Sequence, residues 1–215
     1  MSVAAAVIDP RLVRAFADIL DYPHAPLGDA VRECQALAAK TSPQAAVLLG
    51  RFRAFVEGAS LGELQEAYTR AFDLDTLSEE EPTCYPYVGH QIFSENHKRS
   101  AFLVGLNERY RECGFSAGTE LPDHVVVLLR FLAVCDDADL ATELLDEAIV
   151  PALDGMIGPG AGPAEPTSGR GRYLQVLRAL ALVLAERPGA GERPAAVETS
   201  EPSDAGWALS PNGRD

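Results

Sequence analysis

The sequence predicts an all-α protein, a single-domain helical bundle of about eight or more helices. Three observations carry that prediction. Apolar residues recur at three- and four-residue spacing in one segment after another. Helix-start signals, Asp9-Pro10, Ser42-Pro43 and Ser60-x-x-Glu63, stand at the heads of several of those segments. No stretch alternates convincingly with period two, and no hairpin signal appears. The chain shows no internal repeat at a fixed period.

Asp9 to Leu20 is the first expected helix, with Leu12, Val13, Phe16, Ile19 and Leu20 on one face. Leu27 to Ala39 is the second, its stripe made by Val31, Cys34, Leu37 and Ala38. Ser42-Pro43 opens a third, carrying Val47, Leu48, Phe52, Phe55 and Val56 as far as Gly58. Ser60 and Glu63 form a capping box for a fourth, which carries Leu61, Leu64, Ala67, Tyr68, Ala71 and Phe72. From Asp73 to Glu95 the periodicity stops. Glu79 to Pro82 is charged and helix-breaking, and Cys84 to Gly89 is aromatic and kinked. A connection of this length is expected to be an ordered loop that packs on the core or binds something.

Ser94 is the expected cap of the next helix, with Phe102, Leu103, Leu106, Tyr110 and Cys113 inward and Lys98 and Arg99 outward. That helix should end at Gly114, a residue suited to a left-handed turn. The connector Phe115 to Leu121 leads to Pro122, read as the first position of a helix with Leu121 as N-cap. Asp123 and His124 then stand in the first turn, where the helix field favours a carboxylate and a neutral imidazole. Val125 to Leu132 is apolar on nearly every side, which predicts a helix in the middle of the fold. Asp139 to Leu153 is amphipathic, with Pro151 expected to bend or shorten it. Gly158 to Gly171 reads as a loop, and Arg172 to Ala185 as a final apolar helix. Residues 1–186 thus form the helical domain, and residues 187–215, rich in Pro, Gly and Glu, a flexible tail containing Trp207.

A hydrophobic fraction of 47% allows a real core, and a formal charge of −14 argues against nucleic-acid binding. Acidity suits a basic partner or simply solubility. No apolar run is long enough to span a membrane, and the N-terminus lacks a secretory pattern, so a cytoplasmic location is expected. Cys34, Cys84, Cys113 and Cys135 form no CxxC pair; Cys113 and Cys135 are expected in the core. His24, His90, His97 and His124 show no HxH or HExxH spacing, which leaves metal hydrolysis poorly supported. The Gly-rich stretch lacks the residues of a phosphate loop. Asp123-His124 reads either as a local capping arrangement or as a polar pair that grips a partner.

Tyr68-x-x-x-Phe72-Asp73-Leu74, Lys98-Arg99, Tyr110-x-x-x-Gly114-Phe115 and Glu120-Leu121-Pro122-Asp123-His124 together resemble the TorD/DmsD/NarJ family of molybdoenzyme maturation chaperones, over about residues 9–185. The resemblance implies a TorD-like helical fold with no catalytic activity and no cofactor of its own. It implies a partner, the N-terminal, twin-arginine-type segment of a molybdenum-containing oxidoreductase catalytic subunit, held in the cytoplasm until the molybdopterin cofactor is inserted. Phe72-Asp73-Leu74 and the ELPDH stretch suggest the nitrate-reductase branch, hence nitrate assimilation. Tyr87 to Phe93 departs from that branch and keeps dimethyl sulfide, ethylbenzene, chlorate and selenate enzymes open as clients. By resemblance the peptide site lies around Tyr85, Tyr87, His90, Phe93, Glu120, Asp123 and His124. An acidic rim suits the arginines of such a segment and apolar walls its remainder. The competing readings are a metal- or nucleotide-dependent hydrolase and a stable structural subunit of an oxidoreductase complex. Monomer and homodimer both remain open.

Overall fold

A computed structural model of the chain describes residues 7–72, 84–93, 95–158 and 168–190. Within them the chain forms α1 (Pro10–Leu20), α2 (Gly28–Ala38), α3 (Pro43–Val56) and α4 (Leu61–Phe72). A short α5 (Val88–Ile92) precedes α6 (Asn96–Glu112) and α7 (Val125–Leu132). Then α8 (Ala138–Glu143) runs through a π-helical segment, Leu144–Ile149, into α9 (Val150–Ile157), and α10 (Gly169–Ala185) completes the fold. No strand occurs among the described residues; the extended pairing there is an isolated antiparallel bridge between Tyr87 and His124.

The start signals work as the residue types dictate. Asp9 accepts the Arg11 N–H at 2.9 Å, and Ser42 accepts the Ala45 N–H at 3.3 Å, each with a proline following it. In the capping box, the Ser60 N–H donates to Glu63 Oε2 at 2.8 Å and the Glu63 N–H to Ser60 Oγ at 3.4 Å. At the far end of α6 the Phe115 N–H reaches the Tyr110 carbonyl at 2.7 Å and the Gly114 N–H the Arg111 carbonyl at 3.1 Å. This is a Schellman closure, with Gly114 at φ 66° and Phe115 packed edge-on against Tyr110. The Tyr-x-x-x-Gly-Phe spacing is therefore the signature of a helix end.

Two helices hold the core. α7 buries Val125 to Leu129, Phe131 and Leu132, as its sequence predicts. α10 runs beside α1, α3, α4 and α9 and buries Tyr173, Leu174, Val176, Leu177, Leu180 and Val183 among others. Each such apolar side chain removed from water contributes roughly 1.5–3 kcal/mol before entropy is charged against it. α2 packs on α1 and α3, and α5 on α9.

Several expectations shift. α7 begins at Val125, three residues past Pro122. The His124 N–H donates to the Leu121 carbonyl at 3.1 Å, so Pro122 and Asp123 occupy the middle of a turn, where proline's fixed φ serves equally well. Leu121 is not the N-cap; His124 is. α10 begins at Gly169 with Ser168 as cap rather than at Arg172, because Ser168 Oγ takes the Gly171 N–H at 2.9 Å. Val47 is 58% exposed, and α3 instead buries Ala45, Leu49, Phe52 and Val56. Cys113 is exposed and Cys135 half-buried, whereas Cys34 and Cys84 lie in the core. Arg99, expected outward, turns in to meet Asp123. Arg187, assigned to the tail, is buried and pairs with Asp146, so the packed body continues past residue 186. The Glu79–Pro82 run, Ser94, the middle of the Gly-rich loop and Trp207 lie outside the described residues.

Candidate functional site

The site assembles around the turn before α7. Tyr110 sends its hydroxyl into the core to donate to the Pro122 carbonyl at 2.7 Å, fixing the turn from below. Its ring packs tilted against Phe131 and edge-on against Phe115, with centroids 4.7 and 5.1 Å away. Asp123 is fully buried, and its carboxylate accepts from Arg99 Nε at 2.9 Å and from a second guanidinium nitrogen at 3.3 Å. Burial of a carboxylate is tolerable only with such a partner. His124 points its Nδ1 at the Val126 N–H, 3.2 Å away, and so caps α7 with an unprotonated nitrogen. Burial lowers its pKa, opposed by the charges of Glu120, Asp21 and Asp123, so the imidazole stays neutral as expected. The leading cause is burial, where the sequence alone offers only the helix field.

The segment 84–93 lies across this turn as a strap. The Val88 N–H donates to the Asp123 carbonyl and the Val125 N–H to the Pro86 carbonyl, both at 2.8 Å. The Tyr87 ring meets the His124 ring edge-on with centroids 5.3 Å apart. Beneath the strap opens a cleft of about 800 Å³. The end of α1 supplies Asp21, Tyr22 and His24; α4 supplies Tyr68, Thr69 and Phe72; the strap supplies Pro86 and Tyr87. The connector adds Ala117 to Glu120, and α7 adds His124, Val126, Val127 and Arg130. Gly118, at φ 72°, lets the connector turn along the rim.

The walls are aromatic and the rim is charged. Tyr22 sits edge-on to Tyr68 at 5.4 Å and to His24 at 5.2 Å. Arg130 grips Asp21 at 2.6 Å and reaches Asp18 at 3.8 Å, which offsets the Asp21 charge. Glu120 is exposed, and its Oε1 accepts from two neutral donors, the Leu121 N–H at 2.9 Å and the Tyr87 hydroxyl at 3.5 Å. Burial first, and the nearby Glu120 second, push the Tyr87 phenol up, so it remains a donor. Tyr68 is pushed up in the same way, burial leading and Asp21 next. A π-faced hollow with a carboxylate at its lip suits a cation followed by apolar side chains.

Of the residues expected at a peptide site, Tyr87, Glu120 and His124 line the cleft. Asp123 stands directly behind it, closed off from solvent. Tyr85 and His90 stack on each other, centroids 4.7 Å apart, and Phe93 packs on Phe102, so these three belong to the strap without lining the cleft. The cleft also takes in Tyr22, Tyr68 and Arg130, none of which the sequence marks as a site residue. Tyr68 stands in the sequence in a helical stripe and in the Tyr68-x-x-x-Phe72 block, and nothing local joins it to His124. A smaller hollow of about 440 Å³ between α3, α4 and α10 is lined by charges that already pair, Arg70 with Glu66 at 2.5 Å, while Arg172 lies over the Phe55 ring. Among the described residues no group of three or more His, Cys, Asp or Glu is placed to hold a metal ion.

Among the described residues the body is thus all-helical, and its largest cleft is aromatic with charged residues at its rim. The profile of the nitrate reductase delta subunit family matches residues 35–156, more than half of the chain, and the chain belongs to that family. It is a family of nitrate reductase assembly chaperones, not of enzymes. No curated protein matches the chain in sequence.

Proposed function

We propose that the protein is a cytoplasmic chaperone that binds the N-terminal, twin-arginine-type segment of a molybdoenzyme catalytic subunit. It holds the apoenzyme for molybdopterin insertion before export or membrane docking. The observation that carries this reading is the cleft itself: Tyr22, Tyr68, Phe72 and Tyr87 on its walls and the exposed Glu120 at its lip. A basic, then apolar, extended segment is complementary to that arrangement. Its arginine meets Glu120 and the faces of Tyr22 and Tyr87, and its apolar residues enter toward Val126 and Val127. Burial at roughly 25 cal/mol per Å² supplies most of the affinity, and charge directs the encounter.

Calorimetry with the N-terminal peptide of a neighbouring molybdoenzyme catalytic subunit tests this. Saturable one-to-one binding at low salt is expected, abolished when the peptide's arginines become glutamates. Absence of binding to the folded protein overturns the reading.

A further inference from the structure

Arg99 lies on α6, does not line the cleft, and yet touches what forms its wall. Its guanidinium holds the Asp123 carboxylate with two contacts, 2.9 and 3.3 Å, a fork-shaped geometry that only arginine offers. Asp123 has no exposure, while the Arg99 side chain keeps 26%. The strap crosses directly over the pair. A Cβ placed on Gly89 lies 2.9 Å from Asp123 Oδ2 and 3.0 Å from Arg99 Cγ, so glycine is what lets the backbone come this close. The guanidinium also lies 5.5 Å from the Tyr87 ring centroid. The carboxylate that Arg99 grips belongs to the residue whose carbonyl receives the Val88 N–H. Ion pair, glycine and tyrosine therefore form one stack, and Tyr87 is the part of it that faces the cleft.

We propose that Arg99 is a positioning residue: by gripping Asp123 beneath Gly89 it holds the 84–93 strap against the start of α7, and so fixes Tyr87 and the width of the cleft. This rests on the peptide-binding reading for its consequence, though not for its mechanism. Removing the grip frees the strap, and Tyr87 no longer presents a fixed wall to the incoming segment.

The test has two arms on the full chain. In the first, amide hydrogen exchange is followed at Val88 and Val125, whose N–H groups tie strap to helix, with the α10 amides as reference. The double variant Arg99→Gln/Asp123→Asn avoids an unpaired buried charge. It is expected to exchange at Val88 and Val125 at least about tenfold faster, with α10 unchanged. Gly89→Ala keeps both charges and lifts the strap sterically, which gives the exchange pattern of a freed strap for comparison; Arg99→Lys, which leaves the buried carboxylate a cation but removes the two-pronged grip, decides the matter by faster exchange at Val88 and Val125 if the double variant does not fold. In the second arm, the peptide binds these variants at least about tenfold more weakly, and Arg99→Lys, with one contact in place of two, falls between them and the natural protein. Unchanged protection at Val88 and Val125 overturns the proposal. So does faster exchange with unaltered peptide affinity. Failure of the natural protein to bind the peptide sinks the client reading alone, since the exchange arm still decides whether Arg99 holds the strap.

Discussion

The imidazole of His124 keeps one orientation because its Nδ1 receives the Val126 N–H at 3.2 Å. A proton added there removes the cap and places a charge in a buried site. The folded chain therefore binds that proton less readily than the unfolded chain, whose histidine titrates near 6.5. The stability that His124 contributes is complete above that value and is lost as pH falls through the lowered folded value. Melting temperature is thus expected to decline below pH 6.5 while most carboxylates remain ionised. His124→Asn, which retains a capping acceptor, is expected to flatten that decline; an unaltered slope refutes the assignment. At the lip of the cleft, Glu120→Gln should weaken peptide binding about two- to fivefold at low salt and hardly at all at high salt. Tyr22 is 38% exposed, and its packing in the folded chain is with the rings of Tyr68 and His24. Tyr22→Ala should lower the melting temperature by only a few degrees and weaken the peptide about tenfold, as loss of an aromatic anchor does. Calorimetry at two salt concentrations separates the two effects.

Elements in this fold differ in how much room they leave each other, and two glycines measure it. At Gly169, where α10 crosses α4, an added Cβ lies 2.8 Å from the Ala67 carbonyl oxygen and 3.1 Å from the Ala67 Cα, backbone that cannot step aside. Gly169→Ala should cost about 1–3 kcal/mol, read as a fall of several degrees in thermal melting. Gly62, in the first turn of α4, has nothing within 4 Å of such an atom. Gly62→Ala should stabilise by about 0.5–1 kcal/mol through the entropy of the unfolded chain. Opposite signs in the same assay check the packing of α4 directly. Pro151 has a related effect. Its missing N–H and bulky ring disturb the ladder toward residue 147, and the helix meets it with the π segment Leu144–Ile149 immediately before. The expected bend is thus a wider turn, and the helix continues to Ile157.

For the whole molecule, an acidic surface facing a basic segment makes association sensitive to ionic strength, and the encounter rate should fall more steeply with salt than the dissociation rate rises. Stopped-flow binding over a salt series checks this. Among the described residues no helix is long and apolar enough to cross a membrane. Much of this architecture was legible in the sequence. Helix faces follow from the spacing of apolar residues, and the caps at Asp9, Ser42 and Ser60 follow from local chemistry, since a capping side chain meets its own next turn. The Tyr110–Gly114–Phe115 and ELPDH blocks, being local too, marked the family. What failed were contacts between distant segments. Periodicity says that α3 has an inner face but not which neighbour covers it, and Val47, inward by spacing alone, is exposed. Arg99 looks like a surface cation until α6 is laid beside the Asp123 turn. The cleft draws Tyr22, Tyr68, Tyr87 and Arg130 from four separate segments. The sequence by itself determined the helices, their ends and the family, because those rest on interactions within a few residues. Only the tertiary structure decided that α7 packs on α1 and α10 on α3 and α4, that Asp123 is sealed behind the cleft, and that Tyr22, Tyr68 and His124 line one cleft. Those depend on which surfaces pack together, and that choice is made by the whole chain at once.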